Sequence, residues 1–182
     1  MAVVISLLML FGPEAIWLLA APEYAQAKYV FPPVAASVFF VYIYTLFINL
    51  EFYFEKTHFV MLASVSGAVL NVVLNYIFIP KYGYIAAAYT TVFCYAVFAV
   101  THYLLYRYIA KKAGITEAVF NGKRIVVYSL GVTGAMFLSL LLYQNNIIRY
   151  IVIAVIAVIA LINVKKLLEL FKKLFVNKNL SD

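Results

Sequence analysis

Four stretches of this chain run for more than twenty residues without an Asp, Glu, Lys or Arg: residues 29–50, 57–80, 82–106 and 125–148. An α-helix rises about 1.5 Å per residue, so about 20 apolar residues cross the ~30 Å hydrocarbon core of a bilayer. Each of the four is long enough. Residues 2–21 form another apolar segment, interrupted by Gly12-Pro13-Glu14, and residues 150–163 a shorter one flanked by Arg149 and Lys165, which can snorkel outward and extend it. The expectation is an all-α polytopic bundle of about six membrane spans over residues 1–164. Charged residues make up only 12% of the 182 and hydrophobic ones 67%, whereas a soluble domain keeps roughly 25% charge. The surface of such a chain faces lipid.

The formal charge of +7 punctuates the hydrophobic runs and forms no basic patch, which argues against nucleic acid as a partner. Alternate loops share a face of the membrane. One face carries Lys28, Lys81 and Arg149. The other carries Lys56, Arg107, Lys111, Lys112, Lys123, Arg124, Lys165, Lys166, Lys172, Lys173 and Lys178. The positive-inside rule puts the second face in the cytoplasm, with both termini inside. Residues 108–123 form the longest loop on that side. Residues 165–182 make a basic tail in which Leu167, Leu168, Phe171, Leu174 and Phe175 share one helical face. That tail either lies on an anionic leaflet or continues the last span. The apolar start lacks a basic leader region and a cleavage site, so it does not read as a signal peptide.

Polar groups inside the spans are the candidates for function. Asn71 and Asn75 sit one turn apart on an apolar helix that Ile79-Pro80-Lys81-Tyr82-Gly83 is expected to stop. Unpartnered amides are costly in hydrocarbon, so these two either bond to a neighbouring helix or line a substrate or ion pathway. Asn49 and Glu51, at the end of the second span, read the same way. Glu14 follows a helix-breaking Gly12-Pro13 and sits where a carboxylate matches the positive end of a new helix dipole. It is a second pathway candidate, for a proton or Na⁺, beside the plainer reading of a dipole-matched residue at the outer interface. Ala63, Gly67 and the block Ala86, Ala87, Ala88 are small enough to let helices approach closely.

Other chemistry finds no support. His58 and His102 have no metal-ligand partner at helical spacing and read as interfacial, and Lys56 and Arg107 read as topology signals. Cys94 is a lone cysteine in an apolar run, and the single aspartate is Asp182. HExxH, GxSxG and a glycine-rich phosphate loop are absent. The chain is expected to be neither an enzyme nor dependent on a metal or cofactor.

Two stretches carry a resemblance to a known family. Residues 11–16, Phe-Gly-Pro-Glu-Ala-Ile, with Leu18-Leu19, Tyr24 and Pro32-Pro33, look like the start of the carboxy-terminal region of polysaccharide flippases. Residues 71–91, NVVLNYIFIPKYGYIAAAYTT, are similar to that family's pattern of two asparagines, an apolar run, Ile-Pro, a basic residue, Gly and a block of small residues. The family belongs to the multidrug/oligosaccharidyl-lipid/polysaccharide exporter superfamily, and the resemblance covers most of residues 5–112. It implies movement of an undecaprenyl-linked oligosaccharide across the bacterial inner membrane for O-antigen, capsule or exopolysaccharide assembly. It also implies two helical lobes around a cavity, coupled to an ion gradient. Members have twelve to fourteen spans, so the expected partners are membrane lipids, the lipid-linked oligosaccharide, an amino-terminal lobe or partner chain, and glycan-assembly proteins. The rival readings are a multidrug or peptidoglycan-precursor exporter of the same superfamily, and a non-transporting scaffold for glycan assembly.

Overall fold

The computed structural model describes residues 1–115 and 120–162, and all of its regular elements are helical. The chain divides into two compact units, Met1–Leu141 and Leu142–Asp182. In order, the helices are α1 (Ala2–Leu10), α2 (Gly12–Leu19), a 3-10 segment Pro22–Tyr29, α3 (Phe31–Tyr53), α4 (Thr57–Tyr82), α5 (Ile85–Lys112), α6 (Gly122–Leu142) and α7 (Asn146–Ile162). Among the described residues α3, α4, α5 and α6 are each long and apolar enough to cross a membrane, and α1 with α2 could make a fifth, broken span. α7 is apolar but shorter. The basic tail 165–182 lies outside the described residues.

In the first unit the core lies where α1, α3, α5 and α6 meet. Ile5 and Met9 of α1, Phe39, Ile43 and Phe47 of α3, Ala99 and Tyr106 of α5, and Val132 and Met136 of α6 form one buried cluster. α4 joins the bundle differently. None of its residues is buried, and it packs mainly along α5. Residues 63, 67, 70, 71, 74 and 75 are its half-covered positions over these turns, the i, i+3, i+4 stripe of one helix face. The remainder of α4 presents Val69, Val72, Val73 and Tyr76 outward, a composition suited to lipid and costly in water.

Several boundaries differ from the sequence reading; among them, the run 125–148 is split, with α6 ending at Leu142 and α7 beginning at Asn146. α4 ends within the expected stretch 79–83, but it runs through Pro80 to Tyr82. A proline forfeits one hydrogen bond to the carbonyl four residues back, and in the last turn little helix follows it to be disrupted. Gly83, at φ 73° and ψ −170°, ends the helix instead, in a region open essentially to glycine alone. α5 stays helical as far as Lys112 and α6 begins at Gly122, so the long loop expected over 108–123 shrinks to 113–121, of which 116–119 lie outside the described residues. Asn121 Oδ1 caps α6 by accepting from the backbone N–H of Arg124 at 3.2 Å.

In the second unit Asn145 Oδ1 accepts from the N–H groups of Ile147 and Ile148 and so caps α7. Arg149, in the first turn of α7, does not snorkel outward. It is buried, with its guanidinium 4.9 Å from the ring centroid of Tyr150 and 5.7 Å from that of Tyr143. A guanidinium is weakly hydrated and stacks on aromatic faces, which eases its burial.

Candidate functional site

Polar side chains collect at three places in the first unit, each built from a different local rule.

The first is the break between α1 and α2. Phe11 leaves helical geometry (φ −95°, ψ 8°), its N–H closes a tight turn onto the Leu8 carbonyl at 3.1 Å, and the two helices are bent by 62°. Pro13 stands in the first turn of α2, where a missing N–H costs nothing. Glu14 is half-buried in that same turn, at the positive end of the α2 dipole.

The second is the amide ladder expected from the sequence. Asn75 Nδ2 donates to Asn71 Oδ1 at 2.9 Å, Thr90 Oγ1 donates to Asn75 Oδ1 at 2.5 Å, and Asn71 Nδ2 approaches Cys94 Sγ at 3.6 Å. The ladder therefore joins α4 to α5. Ala86 and Ala88 are buried and Ala87 half-buried one turn before Thr90. Further along, Ala63 and Gly67 line a groove of about 310 Å³ with Phe98. A Cβ added at Gly67 would overlap the Phe98 ring, so glycine is what allows this approach. These amides find hydrogen-bond partners within the helix pair.

The third pairs Glu51, a candidate for bonding to a neighbouring helix, with a partner the sequence does not indicate. His102, expected at an interface, is fully buried, and so is Glu51. Nδ1 of His102 lies 2.9 Å from Oε1 and 3.0 Å from Oε2 of Glu51, joining α3 to α5 across 51 residues of chain. The imidazole tautomer sets which of the two groups donates in this contact. Nε2 is buried too and has no hydrogen-bond partner among the described residues. The imidazole forms a triangle of rings with Tyr44 at 5.9 Å and Phe98 at 6.1 Å, which are themselves 5.6 Å apart. His58, by contrast, is exposed in the first turn of α4, and Asn49 is exposed on α3.

The pair was missed because each helix was read alone. Along α3, Phe40, Tyr44, Phe47 and Glu51 recur at three- and four-residue steps, as do Tyr95, Phe98, His102 and Tyr106 along α5. Both are aromatic stripes that admit one ionisable residue. Matching stripes of opposite charge character were the available signal, but the helices are not consecutive, and only packing brings them together.

Near the same end of the bundle, Arg107 and Lys111 of α5 and Lys123 of α6 line a recess of about 1220 Å³ whose walls include Tyr103, Tyr106 and Phe120. No group of His, Cys, Asp and Glu suited to hold a metal occurs among the described residues.

The described chain is thus an all-helical protein with several helices fit to cross a membrane and three polar features among them. No protein family, curated protein or solved structure matches it.

Proposed function

We propose that this chain is the carboxy-terminal part of a transporter that flips undecaprenyl-linked oligosaccharide units across the bacterial inner membrane, feeding O-antigen, capsule or exopolysaccharide assembly. The chain crosses the membrane about six times with both termini in the cytoplasm, and it acts together with an amino-terminal lobe or a partner chain. The observation that carries the reading is the apolar helix broken by 62° at Phe11, with Glu14 in the first turn beyond the break. Secondary transporters build substrate and ion sites on interrupted helices, where freed backbone groups and helix ends meet a cavity. The resemblance of residues 11–16 and 71–91 to polysaccharide flippases supplies the substrate class. Alternating access needs two bodies that rock against each other, so this reading calls for a second body beside this one.

The test is translocation. The chain, co-reconstituted with its partner lobe in proteoliposomes, is expected to move a fluorescent undecaprenyl-diphosphate oligosaccharide between leaflets, and Glu14→Gln to slow it. Movement of a cationic dye or of a peptidoglycan precursor in place of the oligosaccharide would reassign the substrate within the superfamily. Binding of glycan-assembly proteins without any translocation would favour the scaffold.

A further inference from the structure

The recess between the end of α5 and the start of α6 belongs to neither the helix break, the amide ladder nor the Glu51–His102 pair. Its volume is about 1220 Å³, and its lining includes Arg107 and Lys111 of α5 and Lys123 of α6. We propose that it is a binding site for an anionic phospholipid, whose phosphate these three cations hold and whose chains lie along α6.

Aromatic packing fixes the two helix ends around this space. Phe120 stands edge-on to Tyr106 at 5.6 Å and to Phe47 at 5.3 Å, and Tyr103 tilts against Phe47 at 5.4 Å. The Tyr103 hydroxyl occupies the place of a Cβ on Gly122, so glycine at the start of α6 lets that helix meet the ring. Arg107 and Lys111 are one turn apart on the α5 wall, and Lys123 stands on the α6 wall. None of the three has a hydrogen-bond or ion-pair partner among the described residues, and no described residue of the lining is acidic. Like charges gathered in this way repel one another, and a concave wall of one sign focuses a potential that draws an anion. The positive end of the α6 dipole adds to the same sign.

Depth along the helices selects the anion. Arg107 is the first charge after the run 82–106, and it lies about 33 Å along α5 from Ile85, at the far edge of a ~30 Å hydrocarbon core. Lys123 likewise stands just ahead of the uncharged run 125–148. The cations are therefore at headgroup level, and on the hydrocarbon side of them Val126, Val127 and Leu130 of α6 are exposed and apolar. A soluble phosphate would use the cations alone, whereas a lipid uses the cationic rim and the apolar flank together. Sites for drug-sized ligands measure roughly 300–1,000 Å³, so the recess has room for a headgroup and the upper part of its chains. A choline headgroup would set its own ammonium against three cations, and a glycerol headgroup would not. Basic pockets between membrane helices hold anionic headgroups in this manner. The site requires only that α5 and α6 cross a membrane and does not rest on the flippase reading.

The test is lipid binding by the full chain in neutral detergent micelles, read as the fluorescence anisotropy of tail-labelled phosphatidylglycerol. Each basic residue beside an anionic lipid is worth about fivefold in binding. Arg107→Gln/Lys111→Gln/Lys123→Gln is therefore expected to bind roughly a hundredfold more weakly. The charge-matched control Lys28→Gln/Lys56→Gln/Lys81→Gln should bind as the native chain does. Phosphatidylcholine with the same label should bind all three chains weakly and alike. All three recess cations are exposed, so the substitutions should leave the thermal midpoint in the same detergent unchanged. If the triple variant fails to fold, Lys123→Gln alone decides, with an expected loss of about fivefold. Equal affinity of the recess and control variants overturns the site, as does phosphatidylcholine binding as tightly as phosphatidylglycerol. Inorganic phosphate that displaces the lipid where chloride of equal ionic strength does not would overturn the lipid assignment and leave a soluble-phosphate site. No transport is read, so this site and the flippase reading stand or fall separately.

Discussion

On one side α5 meets α3 through buried aromatic rings that close over Glu51 and His102; on the other it meets α4 through glycine, alanine and half-covered amides. The first contact is wide and filled, with rings such as Phe47 and Tyr106 stacked 5.8 Å apart. The second is narrow, because a lipid-facing helix gains nothing from leaving water and must rely on close approach and hydrogen bonds. Of these two contacts, the one that holds ionisable side chains is the one the core covers from all sides. Amides suffice where one face of a helix remains outside. Burial sets which kind of polar group a helix interface can hold.

The sharpest way to break this contrast is to unpair the charge. His102→Ala leaves the buried Glu51 carboxyl without its hydrogen-bond partner and should cost roughly 3 kcal/mol, whereas replacing both partners in Glu51→Met/His102→Leu should recover most of that loss. Thermal unfolding in detergent distinguishes the two variants. Equal losses would mean that the aromatic packing, not the pairing, sets the cost.

On the α4 side the largest effect is steric. Gly67→Ala drives a methyl into the Phe98 ring and should cost about 1 to 3 kcal/mol by forcing α4 from α5. Gly131→Ala on α6 is its control, because a Cβ there meets nothing within 4 Å. It should gain roughly 0.5 to 1 kcal/mol from helix propensity. Comparing the two midpoints isolates the contact, and a stabilising Gly67→Ala would show that the helices do not approach as described.

The smallest effect belongs to the ladder. Asn75→Ala removes the bond from Thr90 and the one to Asn71, and intramembrane hydrogen bonds average about 0.6 kcal/mol each. A loss comparable to that of His102→Ala would erase the distinction between the two interfaces. It would also make the asparagines a site in their own right.

Much of this was legible in the residues. The uncharged runs at 29–50, 57–80, 82–106 and 125–148 anticipate α3 to α6, and Gly12-Pro13 anticipates the broken first segment. Asn71 and Asn75 could be placed on one helix face by spacing alone. Helix ends were harder. Pro80 reads as a stop when local rules are applied, but its place in the last turn lets α4 pass through it, and the φ of Gly83 decides the end. The reach of α5 to Lys112 was hidden because basic residues mark the edge of the apolar run, not the end of a helix.

What the sequence determined by itself is the set of helices and which of their faces are apolar, because these depend on the order of residues within a few turns. The partners of those faces were the tertiary structure's to decide. Thr90 completes the amide ladder, Phe98 fills the space that Gly67 leaves, and His102 finds Glu51 across 51 positions. Periodicity repeats every 3.6 residues and carries no record of which helix lies opposite. A buried ionisable group needs a specific neighbour, so the Glu51–His102 pair is visible only when α3 and α5 are packed together.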